Sequence, residues 1–236
     1  MRLSIIPMTL IFLLPNPHIQ DSALSSHPII VDVTHPDQIT SVFDAISYSK
    51  GASVIRMLMG ILGERDFFDG VNKYLQTHKW GNAKTDDLWA AMSETTQKDV
   101  DVKHIMDSWT IQDGYPYINI SMTTSQNGMT RVTATQQRFL LGGEDVDPAA
   151  SPLGYKWYVP LDYLTEAGVH GNYTMDMVDG QFNVPSPGKW VKFNVGQRGF
   201  YRVLYPDNMW KELSTYLKVS LLRCIYQIVN QLHIKS

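Results

Sequence analysis

The sequence predicts an α+β chain in which helices come first and a small antiparallel β-sandwich follows. Apolar residues recur at helical spacing from about Asp21 to Gly114, and after Pro116 the period falls to two. Asn127-Gly128 and Asp179-Gly180 stand between alternating runs, where they read as hairpin turns. At 236 residues the chain suits two compact units, or one unit and a fragment. Its 44% apolar and 11% aromatic content is globular and argues against disorder throughout.

Each element has a local reason. Ser47 is placed to cap a helix whose Ala52, Ile55, Met59 and Leu62 share one face, with Gly63 ending it. Asp66 is placed to cap a second helix, carrying Phe67, Val71, Tyr74 and Leu75. Thr85 opens a third at TDDLWAAMSE, with acids in the first turn where they complement the dipole. Asp101 opens a fourth with Val102, Ile105, Met106 and Trp109 as its buried stripe, and Gly114 and Pro116 stop it.

Beyond the change of period, Ile118, Ile120 and Met122 share one strand face and Thr130 to Leu140 returns. Trp157, Val159, Leu161 and Tyr163 alternate again. Asn172 to Val178 and Gln181 to Val184 flank the second turn, and Trp190 to Tyr205 supplies two strands around Gly199. Short strands at this spacing suggest a sandwich. Pro206-Asp207 starts a last helix, with Trp210, Leu213 and Leu217 on one side.

Composition narrows the partners. The net charge is −3 and no basic face stands out, which argues against nucleic acid. The lone cysteine, Cys224, excludes an internal disulfide but not secretion. Asn119-Ile120-Ser121 and Asn172-Tyr173-Thr174 are glycosylation sequons, so Asn119 and Asn172 are candidate modified residues. MRLSIIPMTLIFLLP has the look of a short signal peptide, interrupted by Pro7 and too short to span a bilayer.

No complete active site follows from residue types and spacing. His27 and His35 lie near Asp32 and Asp37 but each precedes a proline, so they share no helical face for a metal. Asp101 beside His104 is better explained as a cap. HExxH, CxxC, P-loop, GxGxxG and GxSxG patterns are absent from the 236 residues. Asp86-Asp87 reads as dipole compensation, and the Trp and Met residues of the helices read as core. Tyr48, where a loop turns into a helix in ISYSKGASVIRML, reads by itself as a tyrosine hydrogen-bonded at a helix start.

That segment resembles the gluzincin-type zinc aminopeptidases, the aminopeptidase N and glutamyl aminopeptidase group in particular. The resemblance extends through SSHPI (Ser25 to Ile29), ITSVFDAISYSKG (Ile39 to Gly51), NAKTDDLWAAMSE (Asn82 to Glu94) and IMDSWTIQDGYPYINI (Ile105 to Ile120). QRFLL, GYKWYVPL and GFYRVLY continue it, over about Asp21 to Lys218.

The resemblance implies an architecture. Residues 21–114 are expected to be the helical C-terminal part of a thermolysin-like catalytic domain, and 115–205 a β-sandwich. Residues 206–236 are expected to begin a helical domain, its tail beyond 218 divergent, while 1–20 form a leader unlike the family. Both terminal stretches read as parts of a truncated or re-joined product. The resemblance also implies chemistry. Tyr48 takes the position whose hydroxyl donates to the oxyanion formed when the scissile carbonyl is attacked; a phenol stays protonated, and so a donor, at neutral pH.

The family cofactor is zinc, held through HExxH and a downstream glutamate, and a GxMEN loop holds the substrate amine. This chain carries neither motif, so it is expected to bind no zinc and to hydrolyse nothing. Full-length relatives act on peptides in the secretory pathway, at the plasma membrane or outside the cell, and a homodimer is compatible with the family. A non-catalytic interaction module of the secretory pathway is the alternative reading. Apolar stripes left without the zinc-bearing helices are expected to be partly bare.

Overall fold

A computed structural model describes residues 17–124, 129–143, 146–185 and 188–218. The leader as far as residue 16, the Asn127-Gly128 turn and the tail with Cys224 lie outside the described residues. Short helices α1 (Pro17–Gln20) and α2 (Gln38–Ser41) come first, followed by a π-helical turn, Ile46–Lys50, that runs straight into α3 (Gly51–Leu62). Then come α4 (Glu64–Thr77), α5 (Thr85–Thr95) and α6 (Val102–Thr110).

Two helix starts differ from expectation. Ser47 lies inside the π-turn, and it is the Asp44 carboxylate that accepts the Ile46 and Ser47 amides, at 2.8 and 3.1 Å. The shift moves the buried stripe of α3 to Val54, Met57, Leu58 and Leu62, leaving Ala52 exposed. Asp66 falls within the first turn of α4 rather than at its cap. Its carboxylate instead holds the end of α5, accepting from Thr96 Oγ1 and the Gln97 amide. Leu75 of that helix is exposed. The Asp87 side chain accepts from the Lys84 amide at 2.7 Å, and Asp101 caps α6 by accepting from the His104 amide at 3.0 Å. Val102, Ile105, Met106 and Trp109 are all buried.

The strands are β1 (Pro116–Thr124), β2 (Met129–Arg138), β3 (Tyr158–Thr165), β4 (His170–Asp176), β5 (Gly180–Pro185), β6 (Val191–Phe193) and β7 (Arg202–Leu204). They form a four-stranded sheet ordered β5-β2-β1-β7 and a three-stranded sheet ordered β4-β3-β6. Two expectations fail here. β4 and β5 are not a hairpin, because the chain leaves one sheet for the other between them. Met177 takes a left-handed φ of 54° at the crossing, and Asp179 pins β5 beside β2 by accepting the Gln136 amide at 3.0 Å.

The sheets are not wholly antiparallel either, since β7 runs parallel to β1 with Val203 opposite Ile118. Asn194, at φ 52°, turns the chain out of β6. Its amide group spans the loop, accepting from the Gly199 amide and donating to the Gly199 and Tyr201 carbonyls. β7 is thereby delivered to the far edge of the first sheet, after the long connection that a parallel pair requires.

The final helix, α7, covers 207–218. Met209 and Leu213 are its buried side, Leu213 as expected, whereas Trp210 and Leu217 of the expected face are largely exposed. A continuous set of buried residues runs from Val54 and Met57 of α3 through Trp109 to Trp157, beside β3, and on to Val159 and Phe193 of the sheets. Where α6 meets β3, the Trp109 indole donates to the Tyr158 carbonyl at 2.8 Å and the Tyr158 amide donates to Ser108 Oγ at 3.1 Å. Helices and sheets therefore share a core.

Candidate functional site

The π-turn presents Tyr48. Its register is set by the Gly51 amide, which reaches the Ile46 carbonyl five residues back. Ile46, Ser49 and Lys50 turn inward, while Tyr48 is 61% exposed. Among the described residues the Tyr48 hydroxyl has no hydrogen-bond partner, so the expectation of a tyrosine tied down at a helix start is not met. Phe43 is its nearest ring neighbour, tilted, with centroids 6.2 Å apart.

Below the turn lies a polar anchor at each end. At the first, Asp44 collects the two amides described above, an imidazole contact from His27 at 3.1 Å and the Gln20 side-chain amide. Burial pushes the Asp44 carboxyl up, but the Ser47 and Ile46 amides and His27 outweigh it and hold the group below its ordinary value. At the second, Lys50 Nζ lies 3.0 Å from Asp21 Oδ2 and donates to the Gly114 carbonyl at 2.9 Å. The Lys50–Asp21 contact pairs the charges, although Oδ2 falls outside hydrogen-bond direction. Asp21 Oδ1 accepts from the Gly114 amide at 2.8 Å and from Ser26 Oγ at 2.7 Å. Burial pushes the Lys50 ammonium below its ordinary pKa, and the Asp21 carboxylate opposes that shift.

The other candidates are elsewhere. Asn119 is exposed on β1, opposite Thr135 of β2 and Leu204 of β7. Asn172 is exposed on β4, an edge strand. Among the described residues, histidines and carboxylates meet only in pairs: His27 with Asp44, His35 with Asp37, His104 with Asp176. Among the described residues there is no group of three that could hold a metal ion. A catalytic zinc takes three protein ligands, so these residues do not fit one and no metal-dependent step is assigned to them. Among the described residues no helix is long and apolar enough to cross a membrane.

Sequence reasoning singled out Tyr48 but missed Lys50, Asp21 and Asp44. One sign was available for Lys50. It stands four and seven residues before Val54 and Met57, on the buried stripe of α3, where an unpaired charge would be costly.

Residues 11–109 match the peptidase family M1 domain. The chain is 40% identical to the glutamyl aminopeptidase of Homo sapiens over 210 residues, 85% of this chain and 20% of that protein. The chain belongs to peptidase family M1. It is also 41% identical over 202 residues to aminopeptidase A of Gloydius brevicauda, covering 82% of this chain and 20% of the relative. With the mitochondrial aminopeptidase 2 of Saccharomyces cerevisiae the identity is 39% over 194 residues, 82% of this chain and 19% of the relative. The chain thus spans about a fifth of the length of the curated relatives it matches. The family match begins at residue 11, so the M1 likeness extends into the stretch expected to be an unrelated leader.

Proposed function

We propose that this chain is part of a zinc aminopeptidase that removes N-terminal residues from peptides, and that Tyr48 is its oxyanion donor. The observation that carries the reading is a phenol standing free and exposed on a turn anchored from beneath at both ends. A donor can stabilise developing charge only if it is already oriented and not spent on a protein partner. In this reading the peptide carbonyl approaches the outer face of the π-turn and Tyr48 Oη donates to its oxygen as negative charge accumulates. Residues 21–114 are then the helical C-terminal part of the catalytic domain, 115–205 the sandwich after it, and 206–236 the opening of a helical domain.

The zinc ligands, the attacking water and its base belong to sequence that these 236 residues do not contain. Alone, the chain hydrolyses nothing. The exposed sequons at Asn119 and Asn172 support a secretory or cell-surface setting with both residues glycosylated. Exposed apolar side chains at Val31, Val33, Ile39 and Phe43 favour a second reading, a non-catalytic module or homodimer that buries them.

One experiment has two arms. Purified chain is assayed for bound zinc and for turnover of aminoacyl chromogenic substrates; chelator-sensitive turnover above background would refute the inactivity. Within the complete peptidase, Tyr48→Phe is expected to lower kcat by about 10²–10³-fold with little change in KM. Unchanged kcat would remove Tyr48 from the mechanism.

A further inference from the structure

Lys50 and the Asp21 carboxylate have both lost all contact with solvent. Such a pair is a weak device for overall stability, because packed apolar side chains in its place often serve a fold as well or better. What this pair controls is local. Residues two apart on a helical turn point to roughly opposite sides, so an inward Lys50 sends Tyr48 outward. The alternative tether, Phe43, is 62% exposed and too loosely placed to fix a ring.

The π-turn itself needs holding. An extra residue in a helical turn is rare and persists where its surroundings over-determine it. Asp44 holds the entry through two amides, and Lys50 holds the exit. Gly114 completes the second anchor. At φ 76° it presents its carbonyl to Lys50 and its amide to Asp21, so one residue is gripped by both partners. The turn is thereby fastened to the junction between α6 and β1, 64 positions along the chain.

We infer that Lys50, through its ion pair with Asp21 and its hydrogen bond to Gly114, is a positioning residue that keeps the π-turn in register and the Tyr48 hydroxyl directed outward. This deepens, and for its bearing on catalysis rests on, the reading of Tyr48 as oxyanion donor.

The test uses the full chain with 3-fluorotyrosine incorporated, the Tyr48 resonance being assigned by its loss in Tyr48→Phe. Lys50→Met leaves Asp21 buried without its cation and is the harsher variant; Asp21→Asn with Lys50→Met removes both charges together. Ile105→Val weakens the core without touching the turn and serves as the control. In the folded double variant the Tyr48 resonance should shift, and exchange at the Tyr48 and Gly51 amides should quicken by about tenfold or more, while the control leaves both unchanged. Unaltered resonance and exchange in that variant would overturn the inference. So would failure of both variants to fold, which would assign the pair to the fold as a whole. If these signals move but Tyr48→Phe does not affect turnover in the complete peptidase, the catalytic reading fails and the positioning role stands.

Discussion

The His18 ring stacks on Phe200 at 4.3 Å and meets Tyr115 edge-on at 4.6 Å, with the charges of Arg202 and Lys50 close by. Burial first, and then those two cations, hold its pKa down to about 4 from an ordinary 6.5. Between those values an unfolded chain takes up a proton that the folded chain refuses, so acid favours unfolding. Stability should therefore be level above pH 6.5 as far as this residue is concerned, and fall towards pH 4 by at most about 1.4 kcal/mol per pH unit. His18→Phe keeps a ring against Phe200 and should flatten that part of the profile. Urea midpoints at pH 7, 6 and 5 for both proteins measure it; equal slopes would show that His18 does not carry the effect.

Among the elements, β3 and β4 are joined by more than their ladder. Gly171 lies opposite Tyr163, and a Cβ there would overlap the Tyr163 ring, which also packs against Phe182 and Phe193. Gly171→Ala should cost about 1–3 kcal/mol in urea unfolding, as overpacking does. Gly60→Ala, inside α3, meets only Arg198 Cδ at 3.9 Å and should stabilise by up to about 1 kcal/mol. A neutral Gly171→Ala would mean that the ring swings away freely.

The same elements show what the sequence could tell. The α6 helix was legible because Asp101, the apolar stripe and Gly114 agree with one another. The α3 frame was misread because a lysine occupies its apolar face and a π-turn shifts its start. Asp179-Gly180 stands at the start of β5, just past the break at Met177, and local chemistry does not say which sheet receives that strand. Tyr48 is singled out by family resemblance alone, whereas its anchors depend on partners distant in sequence, such as Gly114.

Across the molecule, the buried residues of helices and sheets form one continuous set. Unfolding of either part would strip the other of packing, which favours a single transition. Trp109 of α6 and Trp157 beside β3 sit within that set, fully buried, with ring centroids 6.2 Å apart and planes at 41°. Two indoles at that separation exchange excitation, giving circular dichroism a paired band that neither produces alone. The band should vanish in Trp109→Phe, and on heating the wild type it should fade at the same temperature as the sheet signal. Earlier fading would mean that the helices come away first. Nature has left this polypeptide with its own optical gauge of whether its two halves are still touching.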